Sequence, residues 1–373
     1  MRNKFNLVIV AFLGGYANLF GQAIEFVNNQ RLILGTYVER TASIGIGDLD
    51  GDSDLDIVVA NGRHWPGQNR ILINNGRGIF TVSTALGEEE ETSYSAELAD
   101  FDNDGDLDIA VGNDMAPNYL FFNDGFGKFT RGNSFGNLYA PTRNIVVSDI
   151  DNDGDEDILI TNRGAENEIC LNDGQGVFNN CLGFGTKKDA TIDVEVEDIN
   201  KDGFKDLILA NRDGQQNFIY LNDGQLNFIN KIPFGTGKDN TRSVGIADLN
   251  KDGFWDIITA NIGAENVVYF GDEVLSFQNK IVFDESNEDT YCVSIADFDN
   301  DGWLDIVIGN SSAPNSVYLN RNEAQEWFKI KLKDVNFTTY DITVGDLNGD
   351  GRVDIIESNS DEKNIYYFNI LKE

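Results

Sequence analysis

Seven times along the chain an aspartate opens a nine-residue stretch with oxygen-bearing side chains at positions one, three, five and nine. The stretches are DLDGDSDLD from Asp48, DFDNDGDLD from Asp100, DIDNDGDED from Asp149, DINKDGFKD from Asp198, DLNKDGFWD from Asp248, DFDNDGWLD from Asp297 and DLNGDGRVD from Asp346. Their candidate ligands are Asp48, Asp50, Asp52 and Asp56; Asp100, Asp102, Asp104 and Asp108; Asp149, Asp151, Asp153 and Asp157; Asp198, Asn200, Asp202 and Asp206; Asp248, Asn250, Asp252 and Asp256; Asp297, Asp299, Asp301 and Asp305; and Asp346, Asn348, Asp350 and Asp354. With the carbonyl of position seven, such a set can converge hard oxygens on one ion, and a glycine at position six permits the sharp turn. Calcium suits flexible oxygen cages, whereas magnesium demands a tighter octahedron. Up to seven structural calcium ions are therefore expected. Asn200, Asn250 and Asn348 lower the anionic charge of their loops, and Ser53 stands where glycine recurs, which puts the first turn's geometry in question.

A second set of residues could do different chemistry. The single histidine, His64, lies between Arg63 and Trp65 in NGRHWPGQN, a connection longer than its six counterparts. Six residues before each loop aspartate stand Ala42, Tyr94, Arg143, Ile192, Arg242, Tyr291 and Tyr340, five of the seven being Tyr or Arg. Arg163 and Arg212 follow the first Asn of their own connections. Arginine forks suit carboxylate or sulfate, and tyrosine offers a flat ring with a hydroxyl tip. An anionic carbohydrate is the ligand these types imply.

What must position these residues is a repeated strand unit. The loops start 52, 49, 49, 50, 49 and 49 residues apart, and each unit holds four short apolar runs. In the second unit these are AELA, LDIAVGN, NYLFFN and, after the turn DGFG, KFT. A period near 50 with four strands per unit predicts an all-β, seven-bladed β-propeller with four-stranded antiparallel blades. The last unit stops after its third strand, IYYFN, and FVNNQRLILG near the amino terminus resembles the missing fourth. That amino-terminal strand should complete blade seven and leave no open edge. Residues 24–373 then form one domain. Antiparallel order puts the acidic loops on one face and the Asn-bounded connections, with the links between blades, on the other. Strand A, which precedes each acidic loop, is the innermost, so the Tyr and Arg positions should ring the mouth of the central channel. The repeated Asn residues read as turn stabilisers.

Composition sets the surroundings. Residues 1–23 begin basic (Arg2, Lys4), run apolar from Phe5 to Leu13 and end small, the layout of a cleavable signal peptide, and no later segment is apolar enough for a membrane span. Export to the periplasm or the exterior, as a monomer, is the expectation. Cleavage would deepen the formal charge from −35 to −37. That field repels nucleic acid. Cys170 and Cys181 flank one hairpin and could pair, leaving Cys292 free.

The acidic loops, their apolar strands and the hairpins NDGFGKF and NDGQGVF resemble the FG-GAP/VCBS-type repeats of calcium-binding seven-bladed propellers, across residues 24–373. The resemblance implies fold and calcium, not activity. The His, Tyr and Arg constellation is similar to the sites of propeller ulvan lyases and ulvan-oligosaccharide dehydratases of marine bacteria. It implies β-elimination on a uronate-containing oligosaccharide, sulfated or unsulfated. Arg143 or Arg242 would face the carboxylate; His64 and one of Tyr94, Tyr291 or Tyr340 would be base and acid; Arg63, Trp65, Arg163 and Arg212 would bind substrate. A non-catalytic carbohydrate-binding or adhesion propeller is the alternative.

Overall fold

Short runs of Val, Ile and Leu, punctuated by Gly, Asn and Asp, fold into strands because the branched side chains pack on a pleated surface and the punctuating residues supply turns. The computed structural model describes residues 22–29, 31–333 and 335–372, so all but the last two residues of the expected signal peptide lie outside it. Among the described residues every regular element is a strand. In blade two, Ser93–Ala99, Asp108–Asn113, Asn118–Asn123 and Phe129–Phe135 make one four-stranded antiparallel sheet, and blades three to six repeat the pattern.

The second strand of each blade shows what holds the array together. All six residues of Asp56–Asn61, Asp108–Asn113, Asp157–Asn162 and Asp206–Asn211 are buried. A neighbouring blade covers each face, so these strands read as continuous apolar runs instead of alternating ones. The core is accordingly a series of inter-blade clusters. Between blades one and two, Leu49, Val58 and Ile71 meet Ala96, Ile109 and Phe121. Truncating one such residue, Ile109→Ala for example, costs about 2–5 kcal/mol.

Closure follows the expectation and refines it. Ile24–Val27 pairs antiparallel with residues 368–371, supplying the outer strand of blade seven. Ile33 and Leu34 pair with Ile365 and Asn364, and the same strand, Ile33–Gly47, runs on to become the inner strand of blade one. Blades one and seven are thus stitched into a single hydrogen-bonded path. The FVNNQRLILG segment is two pairing pieces interrupted at Asn28 and Asn29. Cys170 and Cys181, opposite one another on the third and fourth strands of blade three, form a disulfide, and Cys292 is free and buried.

The repeated Asn residues have the stabilising role read from the sequence. In each blade the second Asn of the connection accepts the backbone N–H of the first, as from Asn61 to Asn69 at 2.8 Å and from Asn310 to Asn315 at 2.7 Å. The first Asn accepts from a Thr or Ser on the inner strand, as from Thr41 to Asn61 and from Thr339 to Asn359, both at 2.8 Å. That hydroxyl in turn accepts the amide N–H of the preceding blade, and Asn364 donates to Thr41 across the closing seam at 2.9 Å. A belt of buried amides and hydroxyls thus runs around the propeller. Only Asn118 has a buried side-chain nitrogen without a partner in it.

Candidate functional site

Every inner strand contains one β-bulge, and the bulged residue is the one counted from the loop register. Pairing skips from Thr41 to Ser43, Ser93 to Ser95, Thr142 to Asn144, Thr191 to Asp193, Thr241 to Ser243, Thr290 to Cys292 and Thr339 to Asp341. The residues left over are Ala42, Tyr94, Arg143, Ile192, Arg242, Tyr291 and Tyr340. A bulge frees its extra residue from the ladder and re-aims the side chain. Six of the seven, all except Ala42, line a cavity of 120 Å³ at the mouth together with His64, Arg163 and Arg212. Ala42 borders a second chamber of 180 Å³.

Within the mouth cavity the structure assembles a hydrogen-bonded chain. Arg143 Nη1 donates to Asp114 Oδ1 at 2.7 Å, Asp114 Oδ2 lies 2.5 Å from His64 Nδ1, and His64 Nε2 lies 3.0 Å from the Tyr94 hydroxyl. A carboxylate only accepts, so the pair with Asp114 places the neutral imidazole proton on Nδ1 and leaves Nε2 to accept from Tyr94. Asp114 and Tyr94 are 8% and 7% exposed, whereas the His64 side chain is more than half exposed. Burial raises the Tyr94 hydroxyl above its usual range, while the Arg143 guanidinium, 4.5 Å from the ring centroid, opposes the shift.

The remaining cations divide into occupied and free. Arg163 makes a bidentate pair with Asp213, its Nη2 2.9 Å from Oδ1. Arg63 stacks 4.1 Å over the Tyr340 ring, and Arg242 sits 5.7 and 5.8 Å from the Tyr291 and Tyr340 centroids. Arg212 has its Nε buried without a partner. Burial, then the charges of Arg163 and Arg242, pull its guanidinium below the usual range. Crowded like charges of this kind are relieved by an anion. Trp65, by contrast, is 64% exposed and stands on the rim outside the cavity.

Asp114 did not stand out in the sequence, yet it is the hub of the chain. The signal was available: it occupies the slot after the first Asn of its connection, the slot that holds Arg163 and Arg212 in blades three and four. Beneath the Tyr and Arg ring, the 180 Å³ chamber is lined by Glu97, Asp193, Glu195 and Asp341. Burial first, with help from neighbouring acids, pushes Glu97 and Glu195 up to about 8 and Asp341 to about 6.

On the opposite face, the acidic loops show a common internal order. The first aspartate accepts backbone N–H groups from positions five and six, as Asp100 does from Asp104 and Gly105. The ninth accepts from position two and from the third strand, as Asp108 does from Phe101 and Asn123. The fifth accepts from position seven, as Asp104 does from Asp106. Ser53 adopts φ 71° and still donates to Asp48, so the first loop keeps the turn that glycine makes elsewhere. Positions one, three and nine bring carboxylate oxygens within 4.8 Å of one another in the loops from Asp48, Asp100, Asp149 and Asp297. Asp50, Asp102 and Asp299 each keep one buried oxygen with no hydrogen-bond partner. Such an oxygen is costly unless a cation meets it, so the donor set fits a divalent ion. Loop six differs, because Arg321 pairs with both Asp299 and Asp301.

A family model for the FG-GAP-like repeat matches residues 48–111, 100–160, 149–209, 198–259, 248–308 and 297–357. The chain belongs to the FG-GAP-like repeat family. Its fold is similar to that of BBS1N solved in complex with ARL6DN and soaked with mercury, at 10% identity and TM-score 0.61 over 94% of this chain and 97% of that one. The WD40 domain of Toxoplasma gondii coronin aligns at 9% identity and TM-score 0.65 over 95% and 88%. No curated protein matches the sequence. No helix among the described residues is long and apolar enough to cross a membrane.

Proposed function

We propose that this FG-GAP-like propeller is an exported carbon–oxygen lyase that performs β-elimination on uronate-containing oligosaccharides of the ulvan type, sulfated or unsulfated. The observation that carries the reading is the Arg143–Asp114–His64–Tyr94 chain at the wall of a cavity whose other cations include Arg212, its Nε buried without a hydrogen-bond partner. In a molecule of formal charge −35, a cavity with so many guanidinium groups is suited to an anion. Arg212 and Arg242 face the uronate carboxylate and stabilise charge that develops at its α-carbon. Arg143, being tied to Asp114, orients the relay.

Elimination breaks the C5–H and C4–O bonds and forms a C4–C5 double bond. The C5 proton passes to the His64–Tyr94 pair, and the departing oxygen takes a proton from that pair, so proton count and charge are conserved. If the leaving group is a sugar the reaction is a lyase step; if it is water, a dehydration. Calcium, held by positions one, three, five and nine of the acidic loops, supplies structural charge neutralisation on the far face.

The test is His64→Ala on uronate oligosaccharides. Wild type should release a product with the ultraviolet absorbance of an unsaturated uronate, and the variant should lose at least about a hundredfold in rate. Unchanged product formation removes His64 from the reaction. Binding with no product in wild type would favour a non-catalytic carbohydrate-binding module.

A further inference from the structure

The mouth is asymmetric, and the asymmetry specifies how an extended ligand lies. At 120 Å³ the mouth cavity is on the order of one sugar ring in size, so the rim is the surface open to the neighbouring rings of an oligosaccharide. On the rim of blades one to three, large apolar side chains stand in solvent: Trp65 at 64%, Met115 at 61%, Leu138 at 45% and Tyr139 at 67% exposed. They flank the relay. Trp65 follows His64 in the chain, Met115 follows Asp114, and the Met115 N–H donates to the Ala140 carbonyl beside Tyr139 at 2.9 Å. The link from blade seven into blade one adds Tyr37 at 61% and Val38 at 58% exposed, while among the described residues the corresponding connections and links of blades four to six carry no large exposed apolar side chain. That side of the mouth instead presents Arg212 and Arg242, with Arg163 next to them on blade three.

Exposed aromatic side chains on the rim of a polar cavity are suited to the flat faces of sugar rings, whose hydroxyl edges remain in water. The link between blades one and two, with Glu88, Glu89 and Glu90 exposed, lies just outside the His64 connection, because Gly67 and Glu91 exchange backbone hydrogen bonds. Arg131 pairs with Glu89 at 2.8 Å, so Glu88 and Glu90 are the charges that disfavour a polyanion beyond Trp65 and favour a path toward Met115 and Tyr139.

We propose that a bound anionic oligosaccharide crosses the mouth in one direction, with its charged ring in the arginine cavity and the adjoining rings stacked on Trp65 and Tyr139 over blades one to three. The assignment rests on the reading of the mouth as a uronate site and adds the placement of the adjoining rings and a length dependence.

The experiment is calorimetric binding in a His64→Ala background, which prevents turnover, with D-glucuronate and with a uronate-containing tetrasaccharide from ulvan as probes. The tetrasaccharide should bind about tenfold or more tightly than glucuronate, the gain of two aromatic contacts. Adding Trp65→Ala and Tyr139→Ala should erase most of that difference while leaving glucuronate affinity within about twofold. Trp65→Phe with Tyr139→Phe should restore the greater part. Both side chains are exposed, so a melting curve matching the parent confirms an intact fold. A length advantage that survives the alanine pair overturns the platform alone, as it would if these side chains docked a protein instead. Failure of both probes to bind the parent overturns the uronate reading together with it.

Discussion

Asp114 carries the most chemistry for the least sequence signal. It is nearly buried, accepts from Arg143 and orients His64, so its carboxylate fixes both the tautomer and the position of the ring. Asp114→Asn keeps the volume but offers the imidazole an amide that can reverse the tautomer. Steady-state kinetics should show kcat reduced by about a hundredfold or more with KM little changed. A variant with wild-type kcat would relegate Asp114 to packing. At this scale the sequence was informative about residue types and about register: counting from the acidic loops placed Tyr94, Arg143, Arg242, Tyr291 and Tyr340 at the mouth. It could not tell that Arg143 and Arg163 are already paired, since their partners Asp114 and Asp213 sit in connections whose internal order varies from blade to blade.

The element that makes the site is the inner strand. Its bulge turns one residue per blade into the channel, and the sequence did not announce it, because the bulge falls so near the start of the inner strand in blades two to five and seven that too few residues precede it for the shift in alternation to be read. Farther along the same strands, Glu97 and Glu195 border the lower chamber, where surrounding protein leaves little water to solvate charge. With folded values pushed to about 8 against an ordinary 4.5, both carboxyls hold protons in the native state that the unfolded chain releases. Stability therefore falls as pH rises from about 4.5 toward 8, since the native state binds more protons across that window. The double variant Glu97→Gln with Glu195→Gln should melt a few degrees higher than wild type at the upper end of the window and nearly unchanged at the lower end. Equal melting curves at both ends would mean that these carboxyls are ionised and solvated in the fold.

For the whole molecule, seven blades, their order and their closure were legible because the period, the strand count per unit and the amino-terminal remainder all agree. The disulfide and the interrupted closing strand needed coordinates. Carboxylates clustered on the loop face repel one another unless cations join them, and the buried oxygens of Asp50, Asp102 and Asp299 have no protein donor. Each ion held at a hundredfold over its Kd adds about 2.7 kcal/mol. Removing calcium with a chelator should therefore lower the melting temperature by about 10 °C or more, and restoring calcium should recover it. Identical melting with and without chelator would show that backbone donors suffice to hold the loops. Among the four loops that gather three carboxylates, that of blade six should contribute least, since Arg321 already offsets Asp299 and Asp301.

The proposed elimination turns on one bond, C5–H of the uronate. Incubating the protein with an oligosaccharide deuterated at C5 and weighing the product by mass spectrometry reports its fate. Elimination predicts an unsaturated product that has lost the deuterium to solvent. A cleaved product that retains it would establish hydrolysis, and an unaltered oligosaccharide recovered from the protein would establish binding alone; either result contradicts the assignment of His64 and Tyr94.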